Sequence, residues 1–148
     1  MTRINIGVPV RNLTDQHLLA EHYEIKRICA VYSKFITKTG KSNKIPTEFT
    51  LGTGHVLFFI DKGLYTYNRY KQIYDECLYR GFEVEYYGDN WQVYNSVHFK
   101  DYIPTIEDTR KIVERISERI MQSRQEPRYF SEYVEKTLAV DLIKLSIK

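Results

Sequence analysis

Thr14-Asp15-Gln16-His17-Leu18-Leu19-Ala20-Glu21-His22-Tyr23-Glu24-Ile25-Lys26-Arg27-Ile28-Cys29-Ala30-Val31-Tyr32-Ser33-Lys34-Phe35-Ile36-Thr37-Lys38 decides the fold class. No glycine or proline interrupts it. Leu18, Ile25, Ile28, Val31, Tyr32 and Phe35 recur near the 3.6-residue period of an amphipathic helix. Thr14 or Asp15 can accept hydrogen bonds from the unpaired N–H groups of a first turn. The stretch predicts one long helix from about Asp15 to about Lys38.

Downstream, residues 39–50 read as a loop, because Gly40, Ser42-Asn43 and Pro46 all break regular structure. Gly52-Thr53-Gly54-His55 is a tight segment. Val56 to Ile60 is a short apolar run that periodicity alone cannot assign. A second helix is predicted from about Gly63 to Arg80, stopped by Gly81 as the residue after its C-cap. Phe82 to Lys100 is aromatic and irregular, with no hairpin signal strong enough to impose. A third helix is predicted from about Thr105 to Ser123, with Ile106, Ile112, Val113, Ile116 and Ile120 as its apolar stripe and Pro127 beyond its end. Leu138 to Ile147 predicts a further short helix. The resulting expectation is an all-α, compact single domain over residues 1–148. It has about three main helices, long irregular connections and a tail from about residue 128.

Composition sets the remaining bounds. The chain has 148 residues, 43% hydrophobic and 28% charged, which fits one globular domain with its own core. No apolar run approaches the roughly 18 residues of a membrane span. Met1-Thr2-Arg3-Ile4-Asn5 has no apolar h-region and is not expected to act as a signal peptide. Cys29 and Cys77 stand far apart in no metal-like spacing, so two reduced thiols and no metal site are expected. The net charge is +3 and unevenly spread. Residues 1–50 carry eight Lys/Arg against four Asp/Glu, while residues 51–104 carry five against seven. A basic first third suits a polyanionic partner and equally suits a solvated face. The thirteen Tyr and seven Phe can stack on bases or fill a core.

Two features carry possible chemistry. His17, Glu21, Glu24 and Arg27/Ile28 follow each other at offsets of three and four, and so share one face of the predicted helix. A close pair of carboxylates can raise one pKa, as acid–base work requires, although an ordinary surface helix shows the same spacing. The other feature is the chain start. An α-amine has a pKa of about 7.7–8.0 against about 10.4 for lysine, so about a quarter of it is neutral near pH 7.4. It is therefore a ready nucleophile for imine formation, and Arg3 beside it is expected to lower its pKa further.

The opening Met1–Asn5, together with Asp15-Gln16-His17-Leu18, Ala20-Glu21 and Glu24-Ile25-Lys26-Arg27, resembles the pyrimidine-dimer DNA glycosylase family. So do Leu51-Gly52-Thr53-Gly54-His55-Val56, Phe58-Phe59, Asp61-Lys62, Glu76-Cys77-Leu78, Arg80-Gly81-Phe82 and Asp101-Tyr102-Ile103-Pro104. The resemblance implies an all-α domain of three helices with extended loops. It also implies a DNA-repair glycosylase with abasic-site lyase activity. Thr2, exposed by removal of Met1, would be the nucleophile, and Glu24 the catalytic carboxylate. Arg3, Gln16, Arg27, Gln72, Arg115 and Arg119 fall at positions the family uses for DNA contacts or active-site charge, with Arg119 in place of a lysine. His17 matches an active-site histidine. No metal or other cofactor is implied. The expected partner is double-stranded DNA with a damaged base, bound by a cytoplasmic monomer away from membranes.

Two departures bear on the substrate. The family pattern has an arginine before the catalytic glutamate, where this chain has Tyr23, which could stack on an extruded base. Its Trp/Tyr-rich end becomes Arg128-Tyr129-Phe130-Ser131-Glu132-Tyr133 followed by a longer apolar tail. A different damaged or modified base, a DNA-binding homologue without activity, and a helical adaptor are the alternatives.

Overall fold

A computed structural model describes residues 3–37 and 45–148 of the chain. Six α-helices stand among the described residues: α1 (Asp15–Glu24), α2 (Arg27–Thr37), α3 (His55–Phe58), α4 (Gly63–Tyr79), α5 (Ile106–Gln122) and α6 (Lys136–Lys144). The fold is all-α apart from one two-stranded hairpin, β1 (Arg128–Tyr129) with β2 (Glu132–Tyr133). None of the described helices is long and apolar enough to cross a membrane.

The caps of α4 and α5 follow from local chemistry. Thr105 accepts the Asp108 N–H at 3.0 Å and opens α5. Gly81 takes φ +86° after α4, with its N–H on Leu78 O at 3.0 Å and that of Phe82 on Cys77 O at 2.9 Å. Those two bonds form the left-handed stop that glycine adopts without strain. At α1 the cap is Thr14, whose hydroxyl accepts the His17 N–H, which releases Asp15 for other partners.

The expectation of one long helix over 15–38 is corrected. The stretch divides at Ile25–Lys26 into α1 and α2, although no glycine or proline stands there. The N–H groups of Ile28 and Cys29 bond three residues back, to Ile25 O at 3.2 Å and Lys26 O at 3.0 Å. This 3₁₀ tightening re-aims α2 and sends Ile25, Ile28, Cys29 and Tyr32 all into the core. The Lys26 ammonium lies over the rings of Tyr23 and Tyr87, 4.0 and 3.6 Å from their centroids. Tertiary packing thus overrides a continuous helical propensity. Lys38 and residues 39–44 of the predicted loop lie outside the described residues.

α1 is unusual in burying polar side chains: Asp15, Glu21 and His22 face inward with Leu18. Each finds a partner on or next to α4. Asp15 accepts Arg80 Nη1 at 2.9 Å, Glu21 accepts Arg69 Nε at 2.9 Å, and His22 Nε2 shares a hydrogen bond with Tyr70 Oη at 3.1 Å. Around this polar seam, Ile4, Ile6, Leu18, Ile25, Ile73, Ile112, Ile116 and Ile143 join one connected apolar cluster.

The irregular segment 82–100 forms short 3₁₀ turns at Gly88–Val93 and Ser96–His98. Trp91 Nε1 donates to Thr66 Oγ1 at 2.9 Å, and Tyr32 Oη meets His98 Nδ1 at 2.7 Å, so the segment is fastened to α4 and α2. The predicted helix over 138–147 begins earlier, at Lys136, and finishes as a 3₁₀ turn over Leu145–Ile147. Its Ala139, Val140 and Ile143 pack against α5, so the tail contributes to the core. Cys29 and Cys77 are buried free thiols, and burial pushes their pKa values up to about 12 and about 11.

Candidate active site

The face of α1 turned towards α5 carries His17, Ala20, Glu21 and Glu24, at helical offsets of three and four. Arg115, Ile116 and Arg119 come from one face of α5, and Arg3 and Asn5 from the N-terminal segment. These residues line a cleft of about 240 Å³. The spacing on two helices therefore converges on a single concavity with three guanidinium groups.

Glu21 and Glu24 have different surroundings despite their nearness in sequence. Glu21 is sealed by Arg69, with Nε to Oε2 at 2.9 Å and Nη2 to Oε1 at 3.1 Å, and by Asn5 Nδ2 at 2.8 Å. Its side chain is 0% exposed. Arg69 Nη1 also donates to Val8 O at 2.7 Å, which pins the N-terminal segment to α1 and α4. Glu21 is thus occupied by structure, and Glu24, half-buried at the end of α1, is the acid presented to the cleft.

Arg3 shares the cleft with two further arginines and with Glu24. Burial holds the Arg3 pKa below its ordinary value, helped by the like charges of Arg115 and Arg119 and opposed by Glu24. Arg115 Nε is buried and makes no hydrogen bond among the described residues. Burial lowers the His17 pKa, with Glu21 opposing and Arg119 reinforcing, so its imidazole is neutral near pH 7.

The remaining predicted residues disperse. Gln16 donates to Glu126 O at 2.8 Å and accepts the Arg128 N–H at 3.0 Å, which fastens the tail onto α1. Tyr23 is 64% exposed. Tyr23 and Arg27 line a second cavity of about 610 Å³, walled by Cys29, Ala30 and Val93, and Glu24 lines this cavity too. Gln72 is exposed beside another hollow, with Arg69 and Tyr102, and does not line the arginine cleft. Thr2 lies outside the described residues, one peptide bond before Arg3.

Sequence reasoning did not single out Asn5, Arg69 or His55, all of which build the site. Arg69 interrupts the buried stripe Thr66, Tyr70, Ile73, Cys77 of α4, and a charge on such a stripe signals a buried partner. Arg3 and Ile4 are gripped by the turn before α3. Arg3 Nη1 donates to Leu51 O at 2.6 Å, and the Ile4 N–H donates to His55 Nε2 at 3.0 Å. Among the described residues, no group of three or more His, Cys, Asp or Glu side chains gathers as a cluster able to hold a metal ion.

A carboxylate that shares a cleft with arginines can stabilise a developing cation on a sugar while neighbouring phosphates are neutralised. Comparison with known proteins agrees in kind: a family model described as pyrimidine dimer DNA glycosylase matches residues 1–87, more than half of the chain.

Proposed function

Because the chain belongs to the pyrimidine dimer DNA glycosylase family, we propose that it removes a damaged pyrimidine, a cyclobutane dimer in the first instance, from double-stranded DNA and then cuts the strand at the resulting abasic site. The α-amine of Thr2, freed by loss of Met1, attacks C1′. The glycosidic bond breaks, the base departs with the bonding pair and a proton, and an imine links the protein to the opened sugar. Glu24 stabilises positive charge on the sugar during base loss. It then takes a proton from C2′, so that the C3′–O bond breaks by β-elimination. Water hydrolyses the imine and restores the amine.

The observation that carries this reading is the placement of Glu24. Among the described residues it is the cleft acid not sealed in an ion pair, it lines the cleft with Arg3, and residue 2 is one peptide bond further. Arg3, Arg115 and Arg119 supply phosphate neutralisation around it. The second cavity, also touching Glu24, has room for an extruded base, with exposed Tyr23 available for stacking.

The test uses duplexes that carry a single cyclobutane dimer, a single abasic site or no lesion. The proposal predicts incision of the first two and an intact third. Cutting of abasic DNA with an untouched dimer would move the assignment to another base. Tyr23 favours that second reading, because an aromatic ring there replaces the arginine of the family pattern and changes what the second cavity presents to an extruded base.

A further inference from the structure

His55 opens α3 and is 2% exposed. Its Nδ1 lies 2.8 Å from Thr50 O. A carbonyl can only accept, so Nδ1 carries the proton and Nε2 is left as an acceptor. That acceptor takes the Ile4 N–H at 3.0 Å. The ring itself is fixed edge-on by Phe49 and Phe59, with centroids 5.5 and 5.3 Å away. Gly54, immediately before it, sits at φ +96°, a conformation that side-chain-bearing residues avoid, and this turn aims the imidazole inward.

Three consecutive residues are therefore held by three separate bonds: Arg3 by Leu51 O, Ile4 by His55, and Asn5 by Glu21. The bond to Ile4 is made by the backbone itself, so it restrains the path of the chain as well as a side chain. Consecutive Cα atoms are about 3.8 Å apart, so fixing the peptide of Ile4 confines where residue 2 can reach. We propose that His55 is a positioning residue for the reaction: as a neutral acceptor it holds the Ile4 amide so that the α-amine of residue 2 meets the sugar beside Glu24. This rests on the reading of that amine as the nucleophile. His55 touches no substrate in this role, and its effect is on geometry. Displacement of a reacting group by about 1 Å costs on the order of 100-fold in rate.

The test compares His55→Phe, which keeps the ring and its aromatic packing, with His55→Gln, which keeps one donor and one acceptor. All proteins lack Met1. Borohydride trapping on an abasic duplex gives the rate of adduct formation, and equilibrium titration of the same duplex gives Kd. His55→Phe is expected to trap ~10- to 100-fold more slowly with Kd within about twofold of the parent, and His55→Gln to recover most of the rate. A second perturbation leaves every side chain intact. Residues 2–28 are made synthetically with an ester in place of the Ile4 amide and ligated at the native Cys29, and the same slowing is expected. If the parent traps and both the ester protein and a folded His55→Phe trap at the parental rate, the positioning role is overturned. If the parent itself gives no adduct, the amine reading falls and this inference falls with it.

Discussion

Replacing Arg69 with methionine should destabilise the protein severely, and Glu21 is the reason. In the native fold the Glu21 carboxylate is 0% exposed and the Arg69 side chain 5%. The substitution removes three hydrogen bonds: two to Glu21, at 2.9 and 3.1 Å, and one to Val8 O at 2.7 Å. The carboxylate would keep Asn5 Nδ2 at 2.8 Å, a neutral donor that cannot balance its charge. Removing one partner of a buried ion pair costs about 3–5 kcal/mol. At roughly 2–4 °C per kcal/mol for a domain of this size, the melting temperature should fall by about 6–20 °C. Urea denaturation of parent, Arg69→Met, Glu21→Leu and the double variant measures it. The double variant should recover much of the loss, because no buried charge is left unpaired, but not all, since Asn5 and Val8 lose their partners at about 1 kcal/mol each. A loss below about 1 kcal/mol for Arg69→Met, or a double variant weaker than both singles, would refute the claim that Glu21 is a buried charge held by Arg69.

Other consequences concern the cleft and the solvent. Glu24→Gln should lower base excision by about 10²- to 10⁴-fold while leaving the Kd for damaged DNA nearly unchanged, and single-turnover kinetics beside a binding titration check this. Arg119→Gln should reduce the slope of log K against log salt by about 0.9 if its guanidinium meets one phosphate, which titrations at several salt concentrations read directly. Stability should fall on acidification. Burial lowers the His55 pKa from 6.5 to about 4, so the unfolded chain binds the extra proton first. Its contribution is complete above pH 6.5, shrinks as pH drops towards 4, and amounts to about 3 kcal/mol. Burial lowers the His17 and His22 pKa values too, which adds in the same direction. Denaturation midpoints between pH 7 and 4 test the sign.

What could be read from sequence was local. The α4 and α5 helices carry their own stop and start signals in Gly81 and Thr105, and their boundaries match the periodicity closely. The division of α1 from α2 was illegible because nothing in Ile25-Lys26 breaks a helix. The cause is packing against residues far along the chain. The polar inner face of α1 was illegible for the same reason, since Asp15, Glu21 and His22 are explained by Arg80, Arg69 and Tyr70, 48 to 65 positions later. The tail hairpin has no Asn-Gly signal. Phe130 and Ser131 both hold positive φ, at 52° and 68°, because the Asp15 carboxylate accepts their N–H groups at 3.1 and 2.8 Å. At the site, spacing placed His17, Glu21 and Glu24 on one face, and the structure brings Arg3, Arg115 and Arg119 into the cleft they line. Spacing could not tell the structural glutamate from the cleft glutamate, because that difference is made by Arg69. Nor could it separate Gln16, Arg27 and Gln72, whose side chains face other parts of the surface.

Under the proposed mechanism the reacting group is the α-amine of residue 2, working beside Glu24. The direct measurement is to trap the protein on an abasic duplex with borohydride, digest it, and locate the DNA-bearing residue by mass spectrometry. One modified peptide is expected, beginning at Thr2 and carrying the sugar remnant on its α-nitrogen. A remnant on a lysine such as Lys26, with the N-terminal peptide unmodified, would contradict it.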